Sequence, residues 1–334
     1  MGPGVPPLLR VAVAGAGFMG TTHAQRWAAL PEVRVVGVYS RTAARAEALA
    51  RPSGAVATDD IQSLLAMPAD VVDICLPTDR HADVAVAAFA ARRHVVCEKP
   101  IALDPADGER MAAEARRADR LLLVAHVVRF WPEYARLREM VLGGAIGRPT
   151  SAAAERLQEG PGWVGDGWGA RAAGGGPVVD LQIHDHDFLA SLFGVPRLVQ
   201  AVGGDRHVFT TYVFDGGAVA TAEAASDMPR GYPFTSTLRV RGDEGVLEYV
   251  FRAGGVRPDE AGGLSALTLH PDAGAPAPIA VPPGDAYTLQ LAHFADCLRR
   301  GEPSGVVSPA SAIRALRIAL AARAALDAGT AVRP

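Results

Sequence analysis

The strongest constraint on the fold is an alternation of two sequence textures over residues 8–124. Short runs rich in β-branched apolar residues, typical of buried strands, alternate with alanine-rich stretches whose apolar residues recur at helical spacing. Strands and helices that alternate in this way join by right-handed crossovers and form a doubly wound parallel sheet of the α/β class. The predicted strands are residues 9–14, 33–39, 71–76, 94–97 and 121–125, and the predicted helices are residues 19–29, 42–50, 81–91 and 105–118.

A different texture follows a predicted helix at residues 132–142. Short β runs separated by glycine turns, such as Asp215-Gly216-Gly217, predict a mostly antiparallel open sheet with flanking helices, an α+β arrangement. Because 334 residues exceed the usual size of one domain, we predict two domains, residues 1–125 and 126–334. The predicted strands here are residues 198–202, 208–214, 218–224, 238–240 and 246–251, the further helices are 178–193, 285–300 and 309–326, and the surface loops are 253–263 and 271–283.

A glycine-rich loop follows the first predicted strand and opens the first predicted helix. It reads Gly15-Ala16-Gly17-Phe18-Met19-Gly20. Between a strand and a helix, this spacing permits a tight turn, a close approach of the backbone to a pyrophosphate and close packing of the helix. The alternative is a plain tight turn. The context favours the first interpretation, so the N-terminal domain is predicted to be a Rossmann domain that binds a nicotinamide dinucleotide through Gly15, Gly17, Phe18, Met19 and Gly20.

Ser40 stands where the simplest NAD-binding pattern places an acidic residue, at the end of the second predicted strand. In that pattern the acid binds the ribose 2′-hydroxyl. Here Ser40 is followed by Arg41 and, one helical turn later, by Arg45. A hydroxyl and guanidinium groups at a helix N-terminus suit a 2′-phosphate better than a free diol, so NADP is favoured over NAD. The alternative is that Ser40 caps a helix while the arginines are solvated.

Composition restricts the partners of the chain. The formal net charge is −3, so the chain has no basic field of the kind that binds nucleic acid. No signal-peptide pattern is visible at the N-terminus, and no run is long and apolar enough to span a membrane. Three widely spaced cysteines in apolar surroundings favour reduced buried thiols over a disulfide or metal framework. We therefore expect a cytoplasmic enzyme whose partner is a small molecule.

Lys99 is the only lysine among 33 basic residues, and it lies just past the fifth predicted strand. Open α/β sheets bind their ligands at the carboxyl ends of the strands. A desolvated lysine ammonium can lower its pKa and exchange a proton, whereas an arginine cannot in practice deprotonate. Lys99 is therefore a candidate for proton handling, and the alternative is a surface lysine before the turn-forming Pro100.

Asp180 and His184 are four residues apart on the predicted helix 178–193, so they are expected to share one helix face. A carboxylate beside an imidazole raises its basicity and fixes its tautomer, as a base that takes a proton from a hydroxyl requires. The alternative is a capped helix with a structural His and acid pair. His184 and His186 point about 200° apart on a helix, so joint ligation is poor and no metal site is predicted.

Several separate motifs occur in one order along the chain, and their combination is far more specific than any one of them. They are residues 15–20 with His23; Asp70-Val71-Val72-Asp73 leading to Pro77-Thr78-Asp79-Arg80-His81; Glu98-Lys99-Pro100; Arg129-Phe130-Trp131-Pro132; and Gly174-Gly175-Gly176 leading to Asp180, His184 and Asp187. In this combination the chain resembles the glucose-fructose oxidoreductase and inositol dehydrogenase family. The resemblance implies a Rossmann domain, a C-terminal domain for substrate binding and oligomerisation, NADP or NAD as cofactor, and a homodimer or homotetramer.

The resemblance also implies roles for individual residues. In similar proteins the equivalents of Lys99, Asp180 and His184 form the catalytic group. His184 is expected to take a hydroxyl proton from a sugar, inositol or related cyclic polyol while the carbon donates hydride to nicotinamide C4; Asp180 orients His184, and Lys99 hydrogen-bonds the reacting oxygen. Arg129 is expected to face the substrate or, alternatively, to pair across the domain boundary. Cofactor contacts are implied for Pro77, Thr78, His81, Glu98, Lys99, Trp168 and Tyr287.

Two sequence features leave the specificity open, and two alternative functions remain. His126 stands where many relatives have asparagine, and the glycine-rich loop 158–176 is expected to cover the pocket and set its specificity. A nicotinamide-dependent glycosidase, which oxidises and re-reduces a sugar transiently, is one alternative function. A dinucleotide sensor without catalysis is another, although such a protein need not keep Lys99, Asp180 and His184.

Overall fold

The computed structural model describes residues 8–160, 176–258 and 260–334. The chain forms two compact units. The first comprises the chain up to Val127 together with Asp285–Ile313, and the second comprises Val128–Gly284 and Arg314–Pro334. The division thus differs from the two contiguous domains predicted from the sequence, because a segment near the C-terminus belongs to the first unit.

The first unit is built on a parallel sheet. Its strands are β1 (Leu9–Ala14), β2 (Val33–Tyr39), β3 (Val56–Thr58), β4 (Val71–Ile74), β5 (His94–Glu98) and β6 (Leu122–Ala125). Its helices are α1 (Phe18–Ala29), α2 (Ala43–Ala50), α3 (Ile61–Ala66), α4 (His81–Ala90) and α5 (Pro105–Ala118). The strand order β3-β2-β1-β4-β5-β6, with every described pair parallel, confirms the predicted doubly wound sheet and the Rossmann fold.

The apolar strands occupy the centre of this sheet because both faces are covered by helices. Residues 11–14 of β1 are completely buried, as are Val95 and Val96 of β5. Two elements were not predicted, the edge strand β3 and the helix α3. β3 has only three residues, none of them fully buried, so it lacks the apolar run that marks a central strand.

The segment that returns to the first unit carries helix α9 (Ala286–Arg300), which packs against α1. The Asp285 carboxylate caps α9 by accepting the Thr288 N–H at 2.8 Å and pairs with Arg26 of α1, also at 2.8 Å. The last helix, α10 (Pro309–Ala328), starts in this unit, and its residues from Arg314 onward belong to the second. No helix within the described ranges is both long enough and apolar enough to cross a membrane.

The second unit contains an eight-stranded sheet with helices. The helices are α6 (Pro132–Leu142), α7 (Gly176–Asp180) and α8 (Ile183–Phe193). The strands are β7 (Pro149–Glu159), β8 (Pro196–Gly203), β9 (His207–Phe214), β10 (Val219–Met228), β11 (Thr235–Gly242), β12 (Gly245–Arg252), β13 (Leu264–Pro271) and β14 (Ala277–Pro278). Their order is β14-β13-β12-β11-β7-β10-β9-β8. The predicted antiparallel character is confirmed; among the described pairs only β7 with β10 is parallel.

The central strand of this sheet, β7, was missed in the sequence. It contains three consecutive alanines and no β-branched apolar residue, a composition that resembles a helix. Its neighbour β10 also presents alanines, and the inward-facing Ala152, Ala154, Ala220 and Ala222 are all buried. Small side chains allow helices to pack closely on this part of the sheet, and α8 contacts β7 there.

Candidate active site and cofactor-binding residues

The glycine-rich loop has the geometry of a dinucleotide-binding turn. Gly15 has φ +126°, and a Cβ there would collide with the Cys75 carbonyl. Gly20 is equally restricted, because a Cβ at that position would collide with the carbonyl of Gly15. Gly17, by contrast, has no atom of the described residues within 4 Å of the place where its Cβ would lie, so that part of the chain leaves its backbone open to a ligand.

Helix α1 begins directly after this loop. Its N-cap is Gly17, no side chain in the described part of the chain caps it, and no acidic residue lies in its first turn. The positive end of the helix dipole and the first backbone N–H groups therefore suit a pyrophosphate. The loop and the helix together fit a bound dinucleotide, with Phe18, Met19 and Gly20 forming the first turn.

The residues predicted to select the cofactor follow β2. The Ser40 Oγ accepts the backbone N–H of Thr42 at 3.2 Å, so this hydroxyl helps to shape the turn before α2. Arg41 and Arg45 are exposed. The alternative in which Ser40 caps the helix is not present in the structure, because the N-cap of α2 is Thr42 and no side chain caps it among the described residues. Ser40 directly follows β2 and directly precedes Arg41.

Thr78 and His81 lie beyond the carboxyl end of β4 and have different roles. Thr78 is 4% exposed, and its Oγ1 has no hydrogen-bond partner among the described residues. A buried hydroxyl without a partner costs stability unless a ligand supplies one, so Thr78 fits the predicted cofactor contact. Pro77 immediately precedes it.

His81 is buried, and both of its ring nitrogens face backbone carbonyls. Nδ1 lies 2.9 Å from the carbonyl oxygen of Pro100, and Nε2 lies 2.8 Å from that of Leu76. Burial lowers the pKa of His81, and these carbonyls oppose that shift. Both ring nitrogens therefore contact backbone within the protein, and His81 connects the segments after β4 and β5. The contact of His81 with the cofactor stays a prediction.

Lys99 follows the last residue of β5, as predicted, and is half-buried. Its backbone N–H donates to Glu98 Oε2 at 3.1 Å. The other carboxylate oxygen of Glu98, Oε1, lies 3.1 Å from His23 Nε2, an ion pair whose angle falls outside hydrogen-bond geometry. Glu98 therefore belongs to a buried cluster of the protein, and its contact with the cofactor stays a prediction.

This buried cluster was missed in the sequence. His23 Nδ1 lies 2.9 Å from Asp73 Oδ2, and the Trp27 indole donates to the same oxygen at 2.7 Å. Burial lowers the pKa of His23, but its interactions with Asp73 and Cys75 together raise it, and the pKa stands well above its ordinary value. Burial also raises the pKa of the adjacent Cys75 thiol to about 12. An acid inside the apolar strand β4, and a histidine one turn before a buried tryptophan, were the available signals.

Tyr287 of α9 belongs to the same unit as the glycine-rich loop. Its ring centroid lies 6.5 Å from that of His23, with a tilt of 59°. The predicted neighbourhood of Tyr287 and the dinucleotide loop is thus consistent with α9 packing on α1. Trp168, the other predicted aromatic contact, lies outside the described residues, as does most of the loop 158–176.

The second unit carries the predicted acid and base. The single helix predicted over residues 178–193 is interrupted, because α7 ends at Asp180 and α8 begins at Ile183. Asp180 and His184 therefore flank a short turn, and they do not share one continuous helix face. Both side chains are half-buried.

His186 is fully buried beside the turn. Its Nε2 lies 3.2 Å from the Val178 carbonyl, which can only accept, so Nε2 carries the proton and Nδ1 accepts the Tyr212 hydroxyl at 2.7 Å. Burial lowers the pKa of His186 to about 3, so the ring is neutral. Both nitrogens are engaged, which supports the view that His184 and His186 are not a metal pair.

Two buried ion pairs hold α8. The Arg156 guanidinium of β7 donates to Asp185 at 2.8 and 3.2 Å, and Arg129 Nη2 donates to Asp187 Oδ1 at 3.0 Å. These four side chains are at most 4% exposed. Arg129 thus pairs within its own unit and not across a domain boundary. Its donors point at Asp187, so the structure favours ion pairing for Arg129, and substrate contact stays a prediction.

Comparison with protein families gives two matches in sequence order. Residues 9–126 match the model of an oxidoreductase family with an NAD-binding Rossmann fold, GFO/IDH/MocA, and residues 134–248 match the model of the GFO/IDH/MocA C-terminal domain. The two matched segments together cover more than half of the chain.

Curated relatives include the D-glucoside 3-dehydrogenase of Escherichia coli, 36% identical over 57% of this chain and 55% of that protein. The scyllo-inositol 2-dehydrogenase (NAD(+)) of Bacillus subtilis is 28% identical over 94% of this chain and 93% of that protein. Among solved structures, the aldose-aldose oxidoreductase of Caulobacter crescentus superimposes with a TM-score of 0.83, covering 98% of this chain and all of that one at 23% identity. That likeness shows the fold.

Proposed function

Because the chain belongs to the GFO/IDH/MocA oxidoreductase family, we propose that it is a dehydrogenase acting on a sugar, an inositol or a related cyclic polyol. Hydride passes between a hydroxyl-bearing carbon of the substrate and C4 of the nicotinamide. The observation that carries the proposal is the open glycine-rich loop at the start of α1 in the same unit as Lys99, which directly follows β5 of the same sheet. The names of the relatives, which act on glucosides and inositols, support the substrate class.

The proposed chemistry assigns one task to each of three residues. His184 takes the proton of the substrate hydroxyl as the hydride leaves its carbon. Asp180 orients the His184 imidazole across the turn between α7 and α8, and Lys99 donates a hydrogen bond to the reacting oxygen. The bound nicotinamide supplies the hydride acceptor, and the protein supplies proton transfer and orientation.

The activity test is reduction of NADP+ and NAD+, followed at 340 nm, with a panel of inositols and aldoses. Sustained reduction with at least one member of the panel is the expected result. Release of a sugar or phenol without net reduction would show the redox-neutral glycosidase. Binding of the dinucleotide in a thermal-shift titration, without turnover on any panel member, would show the sensor.

We also propose that NADP is preferred over NAD, from Ser40, Arg41 and Arg45 at the end of β2. The double variant Ser40→Asp/Arg41→Ala places an acid against the ribose diol and removes a guanidinium. It is expected to weaken NADPH binding about 10- to 100-fold and to favour NADH, because a carboxylate repels a 2′-phosphate and binds a 2′-hydroxyl. The dissociation constants for both reduced cofactors, from fluorescence titration, provide the measurement.

The matched control for this swap is Arg51→Ala, which removes an exposed arginine at the other end of α2. Its cofactor constants should stay within about twofold of the parent values, since an exposed charge beyond one Debye length acts weakly. A parent protein that binds NADH at least as tightly as NADPH would contradict the preference.

The open face of the second unit's sheet supports the proposal of a homodimer or homotetramer. Val202, Phe209 and Val219 lie on this face and are 44–56% exposed. Apolar side chains grouped on one sheet face are typical of a surface that binds another subunit. The mass in solution, from light scattering, is expected to be two or four times that of one chain.

A further inference from the structure

The buried cluster of His23, Asp73 and Glu98 joins the start of the unit's first helix to the residue before Lys99. His23 lies one turn into α1, Asp73 lies in β4, and Glu98 is the last residue of β5. The His23 and Asp73 side chains are fully buried, and that of Glu98 is 7% exposed. A set of charged groups at this depth is expensive unless each member is paired, so the arrangement needs an explanation.

The contacts fix the protonation state of the histidine. Nδ1 lies 2.9 Å from an oxygen of Asp73, and Nε2 lies 3.1 Å from an oxygen of Glu98. A neutral imidazole protonated at Nδ1 would face Glu98 Oε1 with the lone pair of Nε2, whereas an imidazolium is hydrogen-bonded to Asp73 through Nδ1 and forms an ion pair with Glu98 at Nε2. His23 is therefore a cation between two carboxylates. The Cys75 thiol also lies 3.4 Å from Nδ1, and the Trp27 indole donates to the same Asp73 oxygen.

The cluster continues to the backbone of Lys99. Glu98 pairs with His23 through Oε1 and accepts the Lys99 N–H at Oε2. The contact with His23 therefore orients the carboxylate that binds the Lys99 backbone. We propose that His23 is a positioning residue: by holding Glu98, it fixes the backbone from which the Lys99 side chain reaches the reacting oxygen. The effect of His23 on turnover rests on the proposed function, because it requires Lys99 to be catalytic. The effect of His23 on the position of the Lys99 backbone does not depend on that function.

Two amide substitutions separate the two halves of the cluster. The side-chain amide nitrogen of asparagine stands close to where Nδ1 of histidine lies, and that of glutamine stands close to where Nε2 lies. His23→Asn thus keeps a donor toward Asp73 and loses the one toward Glu98, while His23→Gln does the reverse. Both variants lose the cation, so a difference between them reports which contact matters.

Amide hydrogen exchange at Lys99, measured by NMR or mass spectrometry, reports how firmly the Lys99 backbone is held and does not require turnover. His23→Asn is expected to accelerate exchange at the Lys99 amide about 10-fold or more, since its acceptor is no longer held, while His23→Gln stays near the parent rate. Equal exchange in the two variants, or no change in either, would overturn the proposal.

Turnover is the second readout. His23→Asn is expected to lower kcat about 10- to 100-fold while the NADPH dissociation constant stays within about threefold, and His23→Gln is expected to recover most of kcat. Trp27→Phe is the matched control, because it removes a donor to Asp73 in the same cluster and leaves Glu98 untouched. A kcat loss in Trp27→Phe as large as that in His23→Asn would show a merely structural cluster and overturn the proposal.

Two further results separate this proposal from its alternatives. If Lys99→Ala retains full activity, the proposed function of Lys99 fails, whereas the exchange measurement still decides whether His23 holds the Lys99 backbone.

The side chains of His23, Asp73 and Cys75 lie close enough to bind a metal, with ligand atoms within 4.8 Å of one another. One equivalent of zinc or iron per purified chain, found by mass spectrometry, would overturn the proposal, because a metal-bound imidazole cannot be an imidazolium.

Discussion

Replacing Lys99 by alanine is expected to lower kcat for the oxidation of a polyol or sugar about 10²- to 10⁴-fold. The substitution removes the donor that holds the reacting oxygen while charge develops on it, and a single such donor accounts for a loss of this order. Because Lys99 is half-buried, the melting temperature should change little. The comparison of kcat with the melting temperature therefore separates catalysis from folding.

His184→Ala is expected to show a similar loss through the missing base. Lys99→Arg refines the test, since arginine keeps the charge and the hydrogen-bond donors but does not release a proton. If Lys99→Arg is more active than Lys99→Ala, Lys99 acts by hydrogen bonding. If the two variants are equally active, Lys99 acts by exchanging a proton. Arg34→Ala, an exposed residue of β2 near the amino ends of the strands, and His270→Ala of β13 serve as controls. Near-parental kcat in both Lys99→Ala and His184→Ala would refute the assignment.

Removing one partner of the buried pair between Arg156 and Asp185 is expected to produce the largest loss of stability. Asp185→Ala leaves a guanidinium that is 2% exposed without its carboxylate, and its remaining neighbour, the Tyr134 hydroxyl at 3.4 Å, cannot neutralise it. Such a change costs about 3 to 5 kcal/mol of unfolding free energy. Urea unfolding, followed by the fluorescence of the chain, provides the measurement.

A surface ion pair provides the contrast for this experiment. Asp296→Ala on α9 breaks the pair with Arg300 at 2.8 Å, where both side chains are more than half exposed, and it should cost less than about 1 kcal/mol. The double variant Arg156→Met/Asp185→Leu should recover most of the lost stability, because apolar side chains replace both charges. If Asp185→Ala and Asp296→Ala had equal effects, the buried pair would not be what anchors α8.

The parallel sheet was accessible to sequence analysis because its evidence is local. β1 and β2 occur at the predicted residues, since most residues of a strand covered on both faces are apolar, and such a run is visible in the local sequence. β7 was not accessible in this way. Its alanines are explained by the close packing of α8 on the sheet, which is a property of two distant segments.

The site residues also differ in whether local sequence is enough to predict their positions and contacts. Lys99 lies at the end of β5 as predicted, because its position depends only on the end of a well-marked strand. The contacts of His23 depend on α1, β4 and β5, which are separate in sequence and meet in space. Glu98 and His81 likewise contact residues of other segments, His23 and Pro100 respectively. The break between Asp180 and Ile183 was hidden because the local pattern there is equally compatible with one helix.

The return of Asp285–Ile313 to the first unit has a consequence for how the protein is made. A ribosome finishes residue 127 long before it reaches residue 313, and at about 5–20 residues per second the interval is about 10 to 40 s. During that time the face of α1 that α9 covers has no partner from its own chain. The first unit is therefore completed only after residues 128–284 of the second unit have been made, and during that interval the nascent chain carries its dinucleotide-binding half without α9.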